Sequence, residues 1–185
     1  FTRADGSTVN VPMMTETEHY ATLDSANLKI VELPYADTTF SMVIVMPAGT
    51  ATLAQLTTSM TPERWSSWMS ALRNTRVQLT MPKFKFEYDV TMNDALKAQG
   101  MAVAFDPDRA NFDRISAEPV DLYISNVRQK AFIDVHELGT EAAAATSVTV
   151  SVTSMPPSIR FDRPFLFAIR ERSSGTILFI GRVGD

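Results

Sequence analysis

The sequence contains no cysteine and only two histidines among its 185 residues. The missing cysteines exclude disulfide bonds, thiol nucleophiles and cysteine-ligated zinc within this sequence. No apolar run approaches the ~18 residues that a membrane-spanning helix needs. Charge is modest as well, because 17 lysines and arginines stand against 21 aspartates and glutamates, for a net charge of −4. With no basic stripe on the chain, we expect neither a membrane nor a nucleic acid as a partner.

Enzyme motifs are missing too. The sequence has no G-x-S-x-G nucleophile elbow, no phosphate-binding loop, no dinucleotide-binding glycine pattern and no H-E-x-x-H pair. His19 and His136 could belong to a catalytic triad, but no neighbouring residue favours one. We therefore predict no catalytic residue, no metal site and no cofactor. A hydrolase with an unrecognised triad is the least favoured function.

What the sequence does contain is strands. Hydrophobic residues make up 45% of it, which is ample for a packed core. Thr61 before Pro62 predicts a helix start, with Trp65 and Trp68 on the core side, and Thr91 predicts a second cap for a helix that Gly100 ends. The fold class is therefore predicted to be α+β and predominantly β, with two or three short helices. Alternating or apolar runs typical of strands cover residues 28–33, 40–46, 77–81, 84–88, 122–135, 165–169 and 177–183.

One segment alternates without an obvious partner. From Thr146 to Thr153 the even positions are Thr or Val and the odd positions are Ser or Thr. A period of two predicts a strand with one apolar and one polar face. Extended backward, the even register contains the small residues Thr140, Ala142 and Ala144. The alternative from composition alone is an alanine-rich helical turn followed by an ordinary edge strand.

The motifs on either side of this segment are similar to those of a known protein family. It begins with the pattern Glu137-x-Gly139-Thr140-Glu141 followed by four alanines, and it is followed by Phe161-x-Arg163-Pro164-Phe165. In this order, and over nearly the whole chain, the sequence resembles the serpin family, in its prokaryotic type. The other motifs that carry the likeness are Val11-Pro12-Met13-Met14, Glu32-Leu33-Pro34-Tyr35, Pro82-Lys83-Phe84, Gly100-Met101 with Phe105, and Leu178-Phe179-Ile180-Gly181-Arg182-Val183.

The resemblance implies a fold and a length. It implies a barrel-like antiparallel sheet B, strands of sheet C and part of the central sheet A, with residues 122–135 in a different and larger sheet from the strands of the first half and the last forty residues. A serpin domain is about double this length, so we expect residues 1–185 to be the C-terminal portion of one serpin domain, with the N-terminal half absent. The complementary N-terminal half is then an expected partner.

The resemblance also implies a function. A serpin inhibits a serine protease as a suicide substrate: the protease cleaves a reactive-centre loop, here at about residues 139–157, and the loop inserts as a new strand. The favoured compartment is extracellular or extracytoplasmic. The alternative is a non-inhibitory serpin-like binding or chaperone protein, against which the small hinge side chains argue. The implied hinge residues are Glu137, Gly139, Thr140, Glu141, Ala142, Ala143, Ala144 and Ala145.

The family's spacing from Glu137 implies a reactive bond between Thr153 and Ser154, with Pro156 and Pro157 following. Val152 and Ser154 remain alternatives to Thr153 for the residue that fills the primary pocket of the protease. A small β-branched residue favours an elastase-like or subtilisin-like enzyme over a trypsin-like one. The residues expected to form the rest of the protease-recognition loop are Val150, Ser151, Val152 and Met155.

Overall fold

We describe the fold from a computed structural model, in which residues 1–115, 122–137 and 155–184 are described. The chain forms two compact units, one of residues 1–83 with 135–185 and the other of residues 84–134. The described strands are β1 (Met13–Asp24), β2 (Leu28–Pro34), β3 (Phe40–Pro47), β4 (Arg73–Pro82), β5 (Phe84–Thr91), β6 (Arg128–Val135), β7 (Ser158–Arg160), β8 (Phe165–Glu171) and β9 (Ile177–Val183). The described helices are α1 (Leu53–Thr58), α2 (Pro62–Ala71) and α3 (Asn93–Leu96), followed by a π-helical turn (Lys97–Met101) and a 3-10 turn (Ala102–Phe105).

The first unit is built on one seven-stranded sheet in the order β7-β4-β1-β2-β3-β8-β9. Its neighbours are antiparallel except for β4 and β7, which run parallel. The prediction that the strands of the first half and the last forty residues share one sheet is confirmed for β1–β4 and β7–β9, but β5 of the first half lies in the other sheet. In the described part of the chain this sheet is open, with β7 and β9 as its edges.

Helices α1 and α2 cover one end of one face of this sheet. Both begin as their sequences require: Thr52 and Gln55 form a reciprocal capping box, and the Thr61 hydroxyl accepts from the Arg64 N–H with Pro62 in the first turn. Trp68 is buried against the sheet and Trp65 packs beside it, which confirms the prediction of a core role. The sheet and helix residues of this buried cluster are Leu28, Ile30, Val43, Val45, Leu56, Trp68 and Leu166.

A buried ion pair continues this face beyond the apolar cluster. Glu32 on β2 is only 5% exposed, and its Oε1 accepts from the Ser41 Oγ at 2.7 Å and from Arg170 Nη2 at 2.7 Å. Burial raises the pKa of Glu32, but the hydrogen bonds from Ser41 and Arg170 outweigh burial and hold that pKa below its usual range. Three neighbouring strands, β2, β3 and β8, are thus joined by side chains as well as by their ladders.

On β9, a glycine lies opposite an aromatic ring. Gly181 pairs with Phe167 of β8, and a Cβ atom at position 181 would overlap the ring carbons of Phe167. The ring therefore covers the glycine, as aromatic side chains do for glycines in curved sheets.

The second unit contains a two-stranded sheet of β5 and β6 and the helical turns. The interruption between the predicted strands at residues 77–81 and 84–88 is confirmed, because β4 ends at Pro82 and β5 begins in the other sheet at Phe84. Strand β6 lies in a different sheet from β1–β4 and β7–β9, as predicted, but it shares that sheet with β5 of the first half. In the described part of the chain, however, that sheet has two strands rather than being the larger one.

The predicted start of this strand at residue 122 is wrong, since β6 begins at Arg128. The side chain of Asn93 explains the difference: its Nδ2 donates to the Ser125 carbonyl at 3.0 Å, and its Oδ1 accepts from the Val127 N–H at 2.8 Å. A strand would use these backbone groups for hydrogen bonds to a neighbouring strand. Because the Asn93 side chain binds them, β6 does not begin before Arg128.

The predicted cap at Thr91 is wrong as well. The cap position of α3 is Met92, which makes no side-chain cap. Gly100 does interrupt the helix as predicted, because its positive φ of 99° is not helical and the 3-10 turn that follows is a separate segment. The Met92 N–H instead donates to the Val127 carbonyl, which places the helix start by a tertiary contact.

We predict that Glu32→Gln destabilises the first unit by about 2–3 kcal/mol. The variant leaves the buried Arg170 guanidinium without its counter-charge, but the amide oxygen can still accept, so we expect a loss below the ~3–5 kcal/mol for breaking a buried pair. Because the folded-state pKa is lowered, the wild-type contribution is present above the unfolded-state pKa and is lost as pH falls through the folded-state value. Urea unfolding at several pH values measures both effects.

The control is Asp24→Asn, which removes the exposed ion pair with Lys29. Its cost should stay below ~1 kcal/mol. Equal losses for the two variants would show that Glu32 contributes no more than a surface carboxylate.

Candidate functional site

The candidate site is the pair of anchors on either side of the predicted reactive-centre loop. Glu137 and Met155 are the predicted site residues that lie in the described part of the chain. The others lie outside it: Gly139, Thr140, Glu141, Ala142, Ala143, Ala144, Ala145, Val150, Ser151, Val152, Thr153 and Ser154. The structure therefore describes how the loop is held at its two ends.

The upstream anchor is an ion pair just after β6. The Glu137 carboxylate oxygen Oε1 lies 2.5 Å from Lys83 Nζ. The hydrogen bond from Lys83 is the largest cause that lowers the pKa of Glu137 below its usual range. Lys83 is the residue between β4 and β5, so this pair fixes the start of the hinge next to the end of β4.

The downstream anchor is the three-residue strand β7. It pairs in parallel with β4 through Gln78 with Ser158, Leu79 with Ile159 and Thr80 with Arg160. Backbone bonds extend the pairing at both ends, from the Gln78 N–H to the Pro157 carbonyl at 2.9 Å and from the Phe161 N–H to the Thr80 carbonyl at 2.8 Å. Met155, two residues before this contact, is 90% exposed.

The motif after β7 forms a buried aromatic pair. Phe161 and Phe165 are both completely buried, and their rings meet edge to face at a centroid distance of 5.8 Å. Between them, Asp162 receives ion pairs from Arg160 and Arg163 at 3.3 and 3.6 Å. The two buried rings of the motif thus hold the chain that follows β7 in the core of the first unit.

Lys83 and Gln78 are residues that the sequence analysis gave no role. Lys83 lies inside Pro82-Lys83-Phe84, one of the motifs that carry the resemblance. Its position directly after a strand that ends in proline is the sequence feature that could have marked it as a functional residue. Gln78 gave no signal, since its part is played by its backbone N–H. Both belong to the neighbourhood of one strand, β4.

His19 lies on β1, and its backbone N–H donates to Glu18 Oε1 at 2.9 Å. No group of three or more metal-ligating side chains occurs in the described ranges. Among the helices described there, none has the length and apolar character to span a membrane.

Comparison with known proteins places the chain in a family. The family model described as "Serpin (serine protease inhibitor)" matches residues 1–185. The chain is a serpin. It is 38% identical over 189 aligned positions to plasminogen activator inhibitor 1 of Sus scrofa, with 99% of this chain and 47% of that protein covered. Antithrombin-III of Mus musculus is 34% identical, with 100% of this chain and 41% of that protein covered.

Solved serpin structures have the same fold. The structure titled native protease nexin-1 with heparin superposes with a TM-score of 0.84 at 32% identity, covering 100% of this chain and 50% of that one. The native thermophilic serpin tengpin gives a TM-score of 0.83 at 33% identity and 49% coverage of its chain. The predicted fold class is confirmed. The chain spans about half the length of the serpins it matches.

We predict that the Glu137 carboxyl titrates below the ordinary range for glutamate, and that Lys83→Met moves its midpoint back up. The reason is that Lys83 is the first cause of the lowered pKa. Carbon-13 NMR of the glutamate carboxyl groups measures the midpoint. Lys85→Met is the matched control, because Lys85 pairs with Asp134 instead. An unchanged Glu137 midpoint in Lys83→Met would contradict the upstream anchor.

Proposed function

We propose that the protein to which this chain belongs inhibits a serine protease by the suicide-substrate, loop-insertion mechanism of serpins. The observation that carries the proposal is the anchoring of residues 137 and 157–161 beside one strand, around a segment with a small-residue hinge and strand-like alternation. Relatives named as inhibitors, such as plasminogen activator inhibitor 1, support it. In this proposal the chain presents a substrate bond and is not an enzyme.

The segment between the two anchors is long enough for its middle to reach a protease. Lys83 and Gln78 are five positions apart, roughly 17 Å at ~3.4 Å per residue of strand. Residues 138–154 between the anchors have a contour length of roughly 56 Å at ~3.3 Å per residue. The contour length of the segment exceeds the separation of the anchors by more than the combined length of the Lys83 and Glu137 side chains. A segment of this length supports presentation of its middle to a protease while both ends stay bound.

The driving force of the proposed mechanism is strand insertion. About ten new ladder hydrogen bonds at ~0.5–1.5 kcal/mol each give on the order of 10 kcal/mol, and Val148, Val150 and Val152 add about 1.5 kcal/mol or more each when buried. This gross gain is comparable to the stability of a whole domain. It requires small side chains at the hinge, since a charge there must be desolvated before the strand can enter.

We also propose that residues 1–185 are the C-terminal portion of a single serpin domain and that the complementary N-terminal half completes it. The coverage of about half of each matched serpin supports this. So does β9, whose four consecutive apolar side chains are each more than a third exposed in this chain: Ile177, Leu178, Phe179 and Ile180.

The proposed compartment is extracellular or extracytoplasmic, and the proposed target is elastase-like or subtilisin-like.

Ala144→Arg in the full-length protein should convert the inhibitor into a substrate. Its guanidinium lies in the even register, which faces the core on insertion, so it would have to be desolvated. Cleavage should continue while the SDS-stable protease complex disappears from gels. Ala143→Arg, in the odd register, is the matched control and should keep most of the complex. The register is misassigned if the two variants behave in the opposite order.

Thr153→Arg should reverse the protease preference. Wild type should react with elastase-like or subtilisin-like enzymes and hardly with trypsin, because a pocket built around a buried carboxylate disfavours a ligand that leaves it unpaired. Mass spectrometry of the released peptide locates the bond. A new N-terminus at Ser154 supports the assignment, and one at Thr153 or Met155 shifts it by a residue. Cleavage only outside residues 145–157 would mean that this loop is not the bait.

A further inference from the structure

An open cleft of about 550 Å³ lies at the end of the first unit's sheet, where the β2–β3 turn meets the end of β8. The side chains that line it come from the β2–β3 turn and from the end of β8 and the turn after it. They are Thr38, Thr39, Arg170, Arg172 and Ser173.

The strand register explains why charged groups meet here. Ser41 pairs with Arg170 and Val43 with Ala168, so these residues share the face on which α1 and α2 cover Val43 and Val45. Since side chains alternate along a strand, Arg170 on β8 points to this same face. Arg172 follows the end of β8, and its guanidinium reaches this face because its Nε lies 3.6 Å from Glu32 Oε1. The face is thus apolar where the helices cover it and cationic where they do not.

The charges of the cleft do not balance. Both guanidiniums face one carboxylate oxygen, Glu32 Oε1, at 2.7 Å from Arg170 Nη2 and 3.6 Å from Arg172 Nε. In the described ranges, no other carboxylate forms an ion pair with either arginine. Glu171 accepts from the Ser173 and Ser174 hydroxyls, and Asp37 accepts from the Thr39 N–H at 3.1 Å.

The two arginines differ in what they can offer. Arg170 is 13% exposed and forms a fork to Glu32 through Nε and Nη2. Arg172 is 41% exposed, and its Nη1 donates to the Thr38 carbonyl at 3.2 Å. The backbone contact holds the Arg172 guanidinium at the cleft, while its exposed edge can donate to a further acceptor.

We propose that this cleft binds the oxyanion group of a small ligand, a phosphate or a carboxylate, with Arg172 as the main donor. The ligand's charge would compensate the second guanidinium that Glu32 leaves unbalanced, by charge-assisted hydrogen bonds. The threonine hydroxyls of the β2–β3 turn lie beside it as further donors. The site is separate from the loop anchors, so it stands or falls independently of protease inhibition.

The test is calorimetric titration of the full-length protein with inorganic phosphate, and separately with acetate, against sodium chloride at matched ionic strength. We expect millimolar or tighter binding of at least one oxyanion and a matching rise in the thermal midpoint. Arg172→Gln should weaken this binding at least about tenfold, the effect of losing one charge-assisted hydrogen bond. Arg172→Lys keeps the positive charge but loses the planar guanidinium. Its affinity for the oxyanion should lie between those of wild type and Arg172→Gln.

The control is Arg76→Gln, which removes an exposed arginine of β4 elsewhere on the same sheet. It should bind the oxyanion as wild type does. Binding by phosphate alone identifies a phosphate site, and binding by acetate alone a carboxylate site. The proposal is overturned if chloride gives the same midpoint shift, if neither oxyanion binds, or if Arg172→Gln and Arg76→Gln lose affinity equally.

Discussion

The ladder between β3 and β8 is the interaction on which the rest of the first unit depends. It pairs Val45 with Leu166 and Phe40 with Glu171, joining the early hairpin strands to the last part of the chain. A contact between residues so distant in sequence carries a large loop-closure cost. Complete burial of the central side chains on both strands offsets that cost, and the Glu32–Arg170 pair fixes the register at the end where the apolar residues stop.

The same sheet explains how a reactive loop can be held at both ends. Strand β7 pairs with the edge of β4, and Lys83, which pairs with Glu137, follows directly after the end of β4. The downstream anchor is buried and rests on backbone hydrogen bonds, whereas the upstream anchor is an exposed ion pair. The two ends are therefore held unequally, and the weaker attachment is on the hinge side, where the proposed mechanism requires the chain to move.

Much of this fold was predictable from the sequence because the signals were local. The alternation in β4, the apolar run of β3 and the Thr61-Pro62 helix start each act within a few residues. Strand β1 (Met13–Asp24) was not among the predicted strands. Two other errors arose where a group distant in sequence decided the structure: the Asn93 side chain takes the backbone groups before β6, and the Val127 backbone carbonyl positions the start of α3. No local pattern carries either contact.

The candidate site divides in the same way. The proposed hinge and the Phe161–Phe165 motif were visible as residue types at fixed spacing, and the hinge stays a prediction because only Glu137 of it lies in the described residues. Lys83 was visible as a residue but its partner was not, since an ion pair between positions 83 and 137 depends on the path of the chain between them. The charge imbalance at Arg172 was likewise invisible, because it exists only once β2, β3 and β8 lie side by side.

Gly181 carries a consequence for how this sequence can vary. The Phe167 ring occupies the space that a side chain at position 181 would need, so the two positions share one volume. A larger residue at 181 requires a smaller one at 167, and substitutions at the pair should be tolerated together more readily than singly. In the serpin family these two positions are accordingly expected to covary, although they lie on different strands.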